Sequence, residues 1–299
     1  MKKLLIATTA LVATAGMAAA DVSISGSAEI GMRDAGGTTG VQMHSDMDVG
    51  FKLSGASDTG LTFGASIDLD EVSGGISNDG GSQAINVSGA FGTLTMGDTD
   101  GALDKVNAEV GSLSAISDDH TGHDGYNGGS GLDADDVLRY DTSVGNFAIA
   151  ASVGMDDTAN GNDNVVGYGV STTVGSVALS VAYQANDGSD VTALSAKTAF
   201  GGLSVVGNYS EKSTGTASTS YEHMAVGLGY TVASSTGDVK LSANFGVYDY
   251  NNETSADGVG IAANKDLGGG ATVMFGYGTS NSTAGVTTDS VSLGLGLSF

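Results

Sequence analysis

Nine acids crowd one stretch of the chain: Asp98, Asp100, Asp104, Glu109, Asp118, Asp119, Asp124, Asp133 and Asp135. Lys105 is the only base among them, and His120 and His123 lie three residues apart in the same stretch. Carboxylates at this density have two chemical uses. They can coordinate a hard cation, since calcium takes six to eight oxygens from carboxylates, amides and carbonyls. They can also act at a distance, giving a passage that they line a negative potential that gathers cations. For coordination the candidate sets are Asp98/Asp100/Asp104, Asp118/Asp119 and Asp133/Asp135/Asp136, but no EF-hand spacing is complete, which favours solvated acids. His120 and His123 suit at most a weak transition-metal contact.

Covalent chemistry has less support. Ser, His and Asp are all present, yet no Gly-x-Ser-x-Gly elbow stands in a strand–turn–helix context. Cysteine is absent, which removes thiol catalysis, disulfides and thiolate metal sites. The chain is therefore expected not to be an enzyme and to require no cofactor, calcium being the one candidate ion. Ten Lys and Arg face 34 Asp and Glu, a formal charge of −24. Nucleic acid is excluded as a partner, because phosphate binding relies on Lys and Arg.

The elements that would position these acids show in the hydropathy pattern. Lys2 and Lys3, an apolar run from Leu4 to Val12, and Ala18–Ala20 have the form of a secretory leader over residues 1–20. From residue 21 onward, period two dominates. Val291, Leu293, Leu295, Leu297 and Phe299 alternate with Ser292, Gly294, Gly296 and Ser298, and Val22, Ile24, Ala28, Ile30 and Met32 alternate with Ser, Glu, Gly and Arg. Strands with one buried face read this way. The pattern predicts strands near 22–33, 42–54, 61–71, 83–90, 91–97, 136–142, 147–154, 165–173, 177–184, 191–199, 203–210, 221–232, 238–248, 257–266, 270–277 and 289–299. No proline interrupts them.

Short connections alternate with long ones along the whole sequence, the asymmetry of a barrel with short periplasmic turns and longer outer loops. Sixteen strands enclose more space than side chains can fill. The non-apolar faces, such as Ser242, Asn244 and Gly246, are too polar for a dry core. Lipid outside and water inside is the arrangement that suits both faces. The expected fold is all-β: a 16-stranded antiparallel transmembrane β-barrel over residues 21–299, in the outer membrane. The acidic stretch 98–135 is its longest connection, either folded inward or solvated outside; long ordered loops are usually functional.

Several short segments carry a resemblance. They are the opening strand Asp21–Arg33, Phe91-Gly92-Thr93-Leu94-Thr95-Met96-Gly97 with the following Asp98-Thr99-Asp100-Gly101-Ala102, Val137-Leu138-Arg139-Tyr140-Asp141, and the terminal Phe299. Taken in order, over residues 21–299, they resemble the general porins of Gram-negative bacteria, most closely an alphaproteobacterial branch. That resemblance implies a passive diffusion channel for small hydrophilic solutes and ions, a homotrimer among outer-membrane lipid and lipopolysaccharide, and a third outer loop folded into the barrel. Asp98, Asp100, Asp104, Lys105, Glu109, Asp118 and Asp119 are then the constriction loop. On residue parity Glu29, Arg33, Lys52, Arg139, Lys197 and Lys240 face the interior as wall residues. The resemblance also raises calcium, with Asp98, Asp100, Asp133 and Asp135 as ligands. In such porins a basic wall faces the acidic loop, but only eight bases follow the leader here, so a cation-preferring lumen is expected. A solute-specific channel and a surface adhesin are the competing readings.

Overall fold

The computed structural model describes residues 20–70, 83–111, 113–116, 123, 136–155 and 164–299. Sixteen strands follow one another: β1 (Asp21–Asp34), β2 (Gln42–Ala56), β3 (Thr62–Asp70), β4 (Gln83–Gly89), β5 (Gly92–Gly97), β6 (Asp136–Val144), β7 (Phe147–Met155), β8 (Val165–Val174), β9 (Val177–Ala185), β10 (Asp190–Phe200), β11 (Leu203–Ser213), β12 (Tyr221–Val232), β13 (Val239–Tyr250), β14 (Ser255–Gly268), β15 (Ala271–Asn281) and β16 (Thr287–Ser298). One short helix, α1 (Ala102–Val106), stands between β5 and β6. The residues of the expected leader up to position 19 lie outside the described ones.

Each strand pairs antiparallel with its chain neighbours, and β1 pairs with β16 to close the barrel. The seam runs from Ser27 opposite Ser298 to Asp34 opposite Val291. Below it, the Phe299 amide donates to the Gly26 carbonyl at 2.8 Å. Closure matters because an open edge would leave a row of backbone donors and acceptors unpaired in hydrocarbon. Tight turns serve one end of the barrel. At residues 145–146 and 175–176 the first position is a glycine with positive φ, Gly145 at 60° and Gly175 at 62°, which suits a two-residue hairpin following the strand twist.

The pleat sorts side chains between two solvents. On β12, Met224, Val226, Leu228 and Tyr230 point outward and are exposed, while His223, Ala225 and Gly227 point inward and are buried. Six outward aromatics mark two levels, Tyr168, Tyr183 and Tyr209 above, Phe147, Phe200 and Tyr230 below. Tyr209 pairs with Met224, six residues from Tyr230, so the belts lie roughly 20 Å apart along the strand. That suits the apolar band of an outer-membrane barrel, and aromatic rings favour its two interfaces. Among the described residues no helix is long and apolar enough to cross a membrane; here strands cross it.

The strand count agrees with the alternation in the sequence, but several upper ends run further. β11 extends to Ser213, β14 begins at Ser255, and β15 extends to Asn281. These ends are polar (Glu211 to Ser213, Gly278 to Asn281), so the apolar contrast fades while the ladder continues outside the bilayer. Helix α1 has no hydropathy signal, because five residues make barely more than one turn.

Leu228 sits midway along the lipid face of β12 and is 45% exposed. Replacing it by Arg should destabilise the barrel by about 2–4 kcal/mol. Urea unfolding in lipid vesicles measures this, and an unchanged midpoint would place that face out of contact with hydrocarbon.

Candidate functional site: the loop inside the barrel

The connection from β5 to β6 enters the barrel and runs along its inner wall. Leu103 and Val106 of α1 pack on Ala182 of β9 and on Val191 and Ala193 of β10. Farther on, Val110 and Ala108 pack on Val206 of β11 and Ala225 of β12. Full burial of Leu103 alone contributes about 1.5–3 kcal/mol. Polar contacts follow the same course. The Ala102 amide donates to Ser152 Oγ at 2.9 Å, and the Ala108 amide donates to Ser195 Oγ at 2.9 Å. Asn208 Nδ2 donates to the Ala108 carbonyl at 3.3 Å, and Asn264 Nδ2 to the Ser114 carbonyl at 3.1 Å. His123 meets the Asn244 amide group through its Nε2.

Small wall residues make this route possible. A Cβ on Gly227 would overlap the Val110 carbonyl, and one on Gly276 would overlap Ala115. Ile116 reaches the inner face of β1 and β16 at Gly31 and Gly294. The loop thus lies in a track of inward glycines and small residues, each placed by strand parity.

At its root the loop is fastened by Arg139, which points inward from β6 and is only 6% exposed. Its Nε donates to Asp141 at 2.9 and 3.2 Å. Its Nη1 donates to Thr99 Oγ1 at 2.9 Å and to the Asp100 carbonyl. The planar guanidinium can hold a carboxylate and two loop oxygens at once, which an ammonium on a flexible stem cannot do with the same geometry. Arg139 is therefore a fastener with a neutralising partner.

The remaining charges are unevenly placed. Asp98, Asp100, Asp104, Lys105 and Glu109 lie on the loop inside the barrel, whereas Asp118, Asp119, Asp133 and Asp135 lie outside the described residues. Partial burial, and after it the Asp100 carboxylate, raises the Asp98 pKa above the ordinary aspartate value. On the wall, Glu29 of β1 stands opposite Asp46 of β2, and Ser27 opposite Asp48, with Ser27 Oγ donating to the Asp48 carboxylate at 3.1 Å. His44 lies 3.2 Å from Glu29. Arg33 faces inward near the outer end of β1. Lys52, Lys197 and Lys240 also have inward parity, but all lie toward the end that carries the tight turns. Among the described residues no three His, Asp or Glu gather to hold a metal ion.

The Gram-negative porin family profile matches residues 7–285 of the sequence. The chain belongs to the Gram-negative porin family. The Rhodobacter capsulatus porin is 28% identical over 286 residues, spanning 86% of this chain and 93% of that protein. A porin refined at 1.8 Å superposes with a TM-score of 0.75 at 25% identity, covering 93% of this chain and 100% of its own. An anion-selective porin from Comamonas acidovorans superposes with a TM-score of 0.67 at 14% identity, covering 94% and 100%. This porin is accordingly a non-enzymatic channel of the outer membrane.

Two features of the porin interior go beyond the residues singled out from sequence. One is the glycine track, whose signal is inward parity, but only once the loop's course is known. The other is a tyrosine cluster at the outer mouth, where Tyr221, Tyr248 and Tyr250 face inward on β12 and β13 beside His223, whose parity with Ala225 and Gly227 already marks it as lumen-facing. Tyr221 meets Tyr248 edge-on at 4.8 Å, and His223 lies 4.4 Å from Tyr248. These tyrosines share the inward parity of His223 and Ala225, unlike the belt tyrosines, which face lipid.

Substituting Arg139 by Met should free the loop root while leaving sixteen strands paired. Hydrogen bonds to charged groups contribute about 1.5–3 kcal/mol each. Single-channel traces should therefore show flicker and a spread of conductance levels, with strand content by circular dichroism unchanged; a single steady wild-type level would show that the fastener is dispensable.

Proposed function

We propose that this porin is a general diffusion channel with a preference for cations, and that its inward loop sets the constriction. The observation that carries this reading is the charge of the interior. Acids occupy both the loop (Asp98, Asp100, Asp104, Glu109) and the neighbouring outer half of the β1–β2 wall (Glu29, Asp46, Asp48). Arg139, the base nearest the loop root, is matched by Asp141. Lys52, Lys197 and Lys240 stand away toward the periplasmic end, which leaves Arg33, Lys105 and Lys212 against these seven acids in the outer half. A water-filled passage bordered in this way concentrates cations. The barrel itself does not decide the sign, since the Comamonas relative is anion-selective on the same fold.

We also propose a homotrimer assembled through the β1–β5 side, amid outer-membrane lipid and lipopolysaccharide. A lipid-facing strand needs about nine to eleven residues to cross. β4 has seven and β5 has six, so that stretch of wall is short for lipid and suits cover by protein. Tyrosine, the upper-belt residue elsewhere, does not occur before Tyr126. The outward face here carries Ala28, Met43, Met47 and Met96 instead, small or adaptable side chains for packing.

Reversal potentials across a tenfold KCl gradient test the selectivity. The expected sign is that of a cation-selective pore, weakening at 1 M salt, where the screening length falls to roughly 3 Å. Anion preference at neutral pH would overturn the reading. The raised pKa of Asp98 adds a pH dependence with a defined sign. As pH falls, Asp98 takes up its proton before an ordinary aspartate does, so cation preference should begin to decline at a higher pH than ordinary aspartates alone would give. Asp98→Asn should remove that first step from the titration and leave the later decline intact.

A further inference from the structure

Beneath the loop, against the periplasmic half of β13–β16, the barrel interior holds a cavity of about 710 Å³. Its lining departs from the surrounding wall in two ways. Apolar side chains border it, Leu113 from the loop and Met274 from β15. The other inward positions of β15 and β16 are Thr, Ser and Gly. It also holds charges of both signs that do not neutralise one another. Lys240 makes no hydrogen bond or ion pair with a described residue. Asp266 accepts the Gly268 amide at 2.7 Å and Asp238 accepts the Ser234 amide at 3.2 Å, each through one oxygen only. Asn264, whose amide nitrogen holds the loop, keeps a buried carbonyl oxygen without a hydrogen-bond partner.

We propose that this cavity is a subsite for zwitterionic α-amino acids with apolar side chains. The solute carboxylate meets Lys240, its ammonium meets Asp266, and its side chain lies on Leu113 and Met274. A sugar brings neither charge, and a simple organic acid or amine satisfies one sign and leaves the other. The volume lies in the ordinary range for small-molecule sites. The inference rests on the diffusion-channel reading, in which a subsite along the passage retards the solute that fits it.

Single-channel recording in 0.1 M KCl with L-leucine as the probe tests it, with 4-methylpentanoate and isopentylamine as single-charge controls. The current should fall saturably with leucine, and the controls should require about tenfold more solute for the same effect. Lys240→Gln should weaken the leucine effect about tenfold, as loss of a charged hydrogen bond does. Asp266→Asn, which keeps an acceptor for the Gly268 amide, should act in the same direction. A leucine effect that does not saturate, that both controls match, or that survives Lys240→Gln unchanged overturns the subsite. Open channels indifferent to leucine sink the subsite alone, whereas a protein that opens no channels sinks the subsite and the channel reading together.

Discussion

In hydrocarbon an unpaired backbone amide or carbonyl has no water to turn to, and each costs several kcal/mol. The sixteen strands meet that constraint by pairing every neighbour and then closing β1 on β16. Much else follows. Closure fixes the pleat, the pleat assigns each residue to lipid or to the interior, and the width of the closed ring leaves an interior too large for side chains to fill. Proline, which would remove a ladder donor, is absent from the chain. The polar inner face is thus a consequence of geometry, since Ser, Asn and Gly there can be wetted as they could not be in a dry core.

A wide ring alone would discriminate little between solutes. What narrows it is a loop held against a wall that has been kept small beneath it. Gly227 admits the Val110 carbonyl and Gly276 admits Ala115, while Ser152, Ser195, Asn208 and Asn264 supply hydrogen-bond partners for the loop backbone. Small apolar clusters around Leu103 and Val110 complete the seat. Without neighbouring strands, α1 would be far below the length at which a helix is stable in water, so its shape is imposed by the wall that it touches. The loop's position is therefore a property of the barrel as much as of the loop.

The same division explains which parts could be read from the sequence. Alternation is a local signal, repeated in every strand, and it carried the strand count, the two faces, and the inward parity of Glu29, Lys52, Lys197 and Lys240. The family assignment needed only short segments in order. The loop's route depends on pairs such as Asn264 with Ser114 and Asn208 with Ala108, separated by a hundred residues or more, and no local pattern encodes them. Arg139 shows the limit most clearly. Its parity was legible, but whether it stands free or is fastened depends on Asp141 two residues along its own strand and on Thr99 and Asp100 in the loop. Tyr221, Tyr248 and Tyr250 show the complementary limit, because parity places them on the inner face but not in contact with one another across β12 and β13.

These two levels of control act on different properties of the channel. The ladder, the belts and the glycine track determine that there is a pore and how wide it is, and the barrel fold is shared with porins at 14–25% identity. The sign of its selectivity depends on a few side chains that make no contribution to closure. Glu29 and Asp46 face one another across β1 and β2, an arrangement that costs stability when both are charged, with His44 lying 3.2 Å from Glu29. Asp98 lies close enough to Asp100 to feel its charge. On the reading proposed above, these like charges act on the channel through the field they create. That field, on the same cation-preferring reading, is negative at the level of the loop because acids there outnumber bases, and Arg139 already has Asp141 as its counter-ion.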